Sequence, residues 1–175
     1  MEFVRKEPIQ CIWKKPEEGI AKLNPDGAMS ESGCGIGGTI RDSNGEVLLI
    51  FTSFGGIRSV LFKELKAILC GLKGSLKIQI SRIQVASDSI RVLNILKGKE
   101  SPPWQCVEVT TTIKKLLREF VSVSFVHVFR ETNCAADHLA SLATDHEVEF
   151  FVPPHTSLLM SIVEEDKNEI VYLRF

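Results

Sequence analysis

The sequence holds no apolar run of the roughly 18 to 20 residues that a helix needs to cross a bilayer, which argues against a membrane-spanning segment. Met1 to Lys15 contains no continuous apolar stretch of the kind found at the centre of a secretory signal. An intracellular protein, nuclear or cytoplasmic, is therefore expected. No C-x-x-C pair occurs, and the cysteines are odd in number: Cys11, Cys34, Cys70, Cys106 and Cys134. That argues against a zinc site or a disulfide framework and leaves packed or partly exposed free thiols. Internal repeats and low-complexity segments are also absent.

What is present fits one globular domain with short flanks. The chain has 175 residues, of which 44% are hydrophobic and 25% charged. Its net charge of −1 is unevenly spread. Residues 1–144 carry a net +4 and residues 145–175 a net −5. A mildly basic body with an acidic tail permits nucleic-acid binding without demanding it. The expected organisation is an N-terminal flank over 1–18, a domain over 19–145 and an acidic extension over 146–175, packed on or flanking that domain.

Residues 1–18 are charged and carry Pro8 and Pro16, with Trp13 as one apolar anchor. Ile20 to Asp26 reads as a strand ending at a Pro-Asp-Gly turn. Ser30 to Gly35 reads as a loop. Ile36–Ile40 and Val47–Phe54 read as strands joined at Asn44-Gly45, a hairpin signal. Val60–Ile78 has apolar residues at helical spacing, with Ser59 as its cap. A strand over Arg82–Ser87, a helix over Asp88–Leu96, a helix over Trp104–Phe120, a strand over Val121–Phe129 and a helix over Asn133–Ala143 follow. The order βββ-α-β-α-α-β-α predicts an α/β sheet opened by an antiparallel meander and extended by right-handed crossovers.

Four acids stand at unusual places. Asp26 and Asp88 end strands, and neighbouring strand ends can set two carboxylates side by side. Glu64 shares a flank with the core residues Val60, Leu61, Ala67 and Ile68. Asp137 sits on a helix with a largely Ala/Leu face. Clustered carboxylates repel, so some hold protons or cations neutralise them. Their hard oxygens suit Mg²⁺ or Mn²⁺. Taken singly, each acid has another reading. Asp26 could shape a turn, Asp88 could cap a helix, Glu64 could be solvated, and Asp137 could pair with His138 or a lysine.

Four stretches occur in order: Asn24-Pro25-Asp26-Gly27-Ala28, Lys63-Glu64-Leu65, Ser87-Asp88-Ser89, and His127 to Ala140 containing Asn133-x-x-Ala136-Asp137. As a set they resemble the signature of type 1 ribonuclease H. More narrowly, the chain is similar to plant ribonuclease H-like domains related to reverse transcriptases of non-LTR retroelements. The resemblance spans about residues 13–155. It implies a five-stranded mixed sheet, order 3-2-1-4-5 with the second strand antiparallel, flanked by helices. It also implies endonucleolytic cleavage of the RNA strand of an RNA–DNA hybrid using two Mg²⁺ or Mn²⁺ ions, and a monomer is expected. It assigns the catalytic and metal-holding role to Asp26, Glu64, Asp88 and Asp137, and nucleic-acid contacts to Asn24, Gly27, Gly35, Ser89, Arg130 and Asn133.

Three departures from the family pattern stand out. The link Phe129 to Thr132 lacks the histidine that many members carry, leaving Arg130 as the polar group for the scissile phosphate. His127 reads as structural. Residues 96–107 are too short for the extra basic helix some members use on the DNA strand. Lys63 stands where alanine is common; its cation would lower metal affinity or contact phosphate. A domesticated module that holds nucleic acid without cutting it is the alternative function.

Gly33-Cys34-Gly35-Ile36-Gly37-Gly38 matches G-x-G-x-x-G. A dinucleotide site would need a helix to begin there, and a hairpin is expected instead, so no nucleotide cofactor is predicted.

Overall fold

The computed structural model describes residues 7–27, 35–54, 56, 58–142, 149–151 and 157–175. In chain order the strands and helices are β1 (Ile9–Cys11), β2 (Ala21–Gly27), β3 (Gly35–Arg41), β4 (Val47–Phe54), α1 (Val60–Lys77), β5 (Arg82–Ser87), α2 (Ile90–Leu96), α3 (Val107–Leu117), β6 (Ser122–His127), α4 (Cys134–Leu142), β7 (Glu149–Phe151), α5 (Ser157–Lys167) and β8 (Tyr172–Arg174). Short 3₁₀ turns, Trp104–Cys106 and Arg130–Thr132, precede α3 and α4. The expected loop from Ser30 as far as Cys34 and the boundary at 145/146 lie outside the described residues.

The main sheet runs β6-β5-β2-β3-β4-β7. β5 is parallel to both β2 and β6, while β3 is antiparallel to β2 and β4. Five consecutive members, β4-β3-β2-β5-β6, follow the expected 3-2-1-4-5 order. The sheet has a sixth strand, however: β7 adds antiparallel to β4 through Ile50↔Phe151 and Phe51↔Phe150. Three residues are too few to show a period of two, which is why the sequence hides this strand. A separate ribbon pairs β1 with β8, joining both ends of the chain.

The period of two along β3 divides the core. Ile36 and Ile40 face α1 and α3, among Leu23, Phe51, Leu65, Ile68, Leu72 and Ile113. Gly37 and Arg41 face α4 and α5, where Ile50, Ala135, Leu139, Leu159 and Val163 form a second cluster. Ser59 caps α1, its hydroxyl accepting from the Phe62 N–H. The β3–β4 hairpin turns on Gly45, whose φ of +83° is the left-handed conformation glycine permits.

Arg41 is fully buried. Its guanidinium donates to Asp166 Oδ2 at 2.7 Å, to the Gly45 carbonyl and to the Val163 carbonyl. Removing one partner of such a pair leaves a buried charge uncompensated and costs about 3–5 kcal/mol. Asp166→Ala is therefore expected to lower the melting temperature by roughly 10 °C, measured by a thermal melt. A change within 2 °C would contradict this account of α5. No helix among the described residues is long and apolar enough to cross a membrane.

Candidate active site

β2 and β5 are neighbours and parallel, so their C-terminal ends lie at the same edge of the sheet. Asp26 occupies one end and Asp88 follows the other. The Gly27 N–H donates to Asp26 Oδ1 at 2.9 Å. Gly27 also brings in Glu64. A Cβ there would stand 3.0 Å from Lys63 Cβ and 3.2 Å from Glu64 N, so the absent side chain lets α1 pack onto the strand end. Asp137 lies in the first turn of α4, its N–H bonded to the Asn133 carbonyl. Asp26, Glu64, Asp88 and Asp137 together line one cleft of about 310 Å³, with Gly27, Val60 and Arg130 completing its wall.

Crowding is visible in the protonation of these groups. Burial pushes Asp26 up to about 8, helped by the charge of Asp88 and by a hydrogen bond with Asp137. Burial likewise pushes Glu64 up to about 7, against a hydrogen bond from Ser89. Asp88 is raised by burial and pulled back by Arg130 and His127. Arg130 Nη2 approaches Asp137 Oδ1 at 3.9 Å, and both side chains are well exposed. Among the described residues, no group of three or more His, Cys, Asp or Glu side chains is set to hold a metal ion. Asp26 shares a hydrogen bond with Asp137, and Glu64 shares one with Ser89. As a donor set they remain hard oxygens in one cleft, the chemistry that suits Mg²⁺ or Mn²⁺ rather than zinc.

The other expected contacts divide. Gly27 and Arg130 line the cleft. Ser89 stands at its rim, capping α2 by accepting from the Val92 N–H. Asp88 thus precedes α2 in a bend instead of opening it. Gly35 is buried at the start of β3, paired with Phe54. Asn24 and Asn133, expected to touch nucleic acid, stand inside the protein at 2% exposure each. Their amides are used internally, Asn24 Nδ2 donating to Asn133 Oδ1 and Asn133 Nδ2 to the Pro25 carbonyl. Gly35 to Gly38 run through β3 with no helix after them, as the hairpin reading required, and Gly33-Cys34 lie outside the described residues.

Lys63 is fully buried, and its Nζ has no hydrogen-bond partner among the described residues. Two side chains expected only as structural neighbours stand beside the site. Val60 lines the cleft, and His127 pairs in register with Ser87, placing its Nε2 3.3 Å from the Asp88 carbonyl oxygen. Only the β5–β6 register, invisible in one sequence, could have revealed the second.

Residues 24–143 match the family described as "Reverse transcriptase-like". The chain belongs to the reverse transcriptase-like family. The chain is 31% identical over 134 residues to an Arabidopsis thaliana protein that carries the provisional name of a ribonuclease H protein. That alignment covers 75% of this chain but only 22% of the Arabidopsis protein, so the chain spans about a fifth of that relative's length. Among solved structures, RNase H1 from the halophilic archaeon Halobacterium salinarum superposes with a TM-score of 0.67 at 23% identity, covering 71% of this chain and 96% of that one. LC11-RNase H1, solved in complex with an RNA/DNA hybrid, gives 0.63 at 23% identity, covering 71% and 94%. This reverse transcriptase-like chain has the ribonuclease H fold.

Proposed function

We propose that this domain cleaves the RNA strand of RNA–DNA hybrids endonucleolytically. In this reading Asp26, Glu64, Asp88 and Asp137 jointly hold two Mg²⁺ or Mn²⁺ ions. The observation that carries it is the convergence of four carboxylates, from four separate elements, on one cleft. The hybrid bound to LC11-RNase H1, a protein of the same fold, supports the substrate class. Bound there, such ions supply an activated water and a stabilised leaving oxygen. Arg130, exposed at the cleft, would steady a phosphate. The Ser89 hydroxyl, which caps α2, also hydrogen-bonds Glu64.

The test is digestion of a hybrid labelled on each strand in turn, at low salt, with Mg²⁺ and with Mn²⁺. Wild type is expected to cut the RNA strand only, and Asp26→Asn and Asp88→Asn to cut neither. A wild type that cuts nothing with either metal would sink the nuclease reading. One observation favours a second reading, a module that binds nucleic acid without cutting it: no three of these acids stand ready to hold an ion. Hybrid binding without cleavage would select it.

Protons compete with the ions at this site. Protonated carboxyls ligate poorly, and Asp26 and Glu64 release their protons at about 8 and about 7. Mn²⁺ affinity is therefore expected to rise from pH 6 to pH 8.5, by up to about tenfold per unit for each proton displaced. Calorimetric titrations at several pH values check this; an affinity independent of pH would contradict it.

A further inference from the structure

Trp13 lies outside the family match, which begins at residue 24. It is nevertheless among the largest fully buried side chains of the described residues, at 2% exposure. Its indole N–H donates to Asn24 Oδ1 at 3.0 Å. Asn24 Nδ2 then donates to Asn133 Oδ1 at 3.2 Å, and Asn133 Nδ2 donates to the Pro25 carbonyl at 3.0 Å. The Asn133 carbonyl accepts the N–H of Asp137. This chain of bonds ends at the peptide group joining Pro25 to Asp26 and at the first turn of the helix bearing Asp137.

The direction of the relay is fixed at its start. An indole N–H only donates, so it obliges Asn24 to present its oxygen to Trp13 and its NH₂ to Asn133. Asn133 must then turn its oxygen to Asn24 and its NH₂ to Pro25. Reversing either amide would face donor with donor or acceptor with acceptor in a buried setting. The ring itself is held in place: the Arg41 guanidinium stacks 3.7 Å from its centre, Lys22 Nζ lies at 4.8 Å, and Arg41 is anchored to α5 through Asp166.

We propose that Trp13 is a positioning residue for the carboxylate site, its N–H setting the spacing between Asp26 on β2 and Asp137 on α4 through Asn24 and Asn133. The consequence for ion binding rests on the nuclease reading above; the positioning does not. A segment ahead of the family match thereby becomes part of the site's scaffold.

The test uses the full chain with Trp13→Phe, which keeps a ring beside Arg41 and Lys22 but removes the donor. The first readout is the amide resonances of Gly27 and Asp137 in metal-free protein, since the Gly27 N–H reports on the Asp26 carboxyl directly. The second is Mn²⁺ affinity. Both amides are expected to shift, and affinity to fall roughly tenfold where the wild type binds Mn²⁺. Asn24→Ala, cutting the next link, must move the same two amides, and decides the matter alone if Trp13→Phe does not fold. Ile113→Val, a core change on the opposite face of the sheet, must leave both in place.

Wild-type positions for Gly27 and Asp137 in the relay variants would overturn the proposal. So would equal shifts in Ile113→Val, which would mean general loosening. Shifted amides in a chain whose wild type neither binds Mn²⁺ nor cuts hybrid would uphold the positioning and remove the nuclease reading.

Discussion

Asp26→Asn is expected to raise the melting temperature of the metal-free protein at pH 8 while removing cleavage. The sign follows from linkage. Burial raises Asp26 to about 8 in the folded chain, against 3.8 for a free aspartate. Between those values the folded state holds a proton that the unfolded state has released. Stability is therefore fullest below the unfolded value and declines as pH rises through the window toward 8. Glu64, raised to about 7, adds to the same slope. Asparagine keeps an oxygen for the Gly27 N–H and carries no charge, so the variant escapes the loss. A gain of about 1 kcal/mol, or about 2–4 °C, is expected at pH 8, shrinking toward pH 4. Removing one ligand of an ion that stabilises transition-state charge forfeits several kcal/mol, more than about a hundredfold in rate. A variant destabilised at pH 8 would contradict this electrostatic account.

Gly37→Ala is expected to damage both stability and activity. Gly37 faces Asp26 across the β2–β3 ladder. A Cβ there would lie 2.5 Å from Ala140 N and 2.7 Å from the Leu139 carbonyl carbon, both backbone atoms of α4. Ordinary contact needs about 3.5–4.0 Å, so the helix must retreat by roughly 1 Å and carry Asp137 with it. Overpacking of this kind costs about 1–3 kcal/mol, and an error of ~1 Å in a reacting group can cost about a hundredfold in rate. Melting curves and hybrid cleavage measure the two effects. Full activity in Gly37→Ala would mean that the α4 position is not critical.

The sequence made the frame legible because each inner strand carries a local signal. Asn44-Gly45 marks its turn, Arg82 to Ser87 is a strand end to end, and Ser59 caps α1 as read. Asp26, Glu64, Asp88 and Asp137 were legible as four motifs in order, and their common cleft follows from parallel neighbouring strand ends. What stayed hidden depends on partners far away in the chain. Arg41 follows the strand over Ile36–Ile40 as an ordinary charged residue until Asp166, 125 positions later, meets it. Asn24 and Asn133 read as surface polar groups until Trp13 and each other bury them. α5 and β7 lie in an extension whose mixed acidic and apolar pattern gave no clear period. Asp88, read as helical, lies outside α2 because the Ser89 side chain takes the capping position.

The central claim is that four carboxylates act as one metal-binding unit, and the most direct measurement is titration of Mn²⁺ by electron paramagnetic resonance. It compares wild type with Asp26→Asn, Glu64→Gln, Asp88→Asn and Asp137→Asn at pH 8. The account predicts that wild type binds Mn²⁺ and that each substitution weakens binding by about tenfold or more. Wild type that leaves Mn²⁺ free, or variants that bind it as tightly as wild type, would contradict the claim.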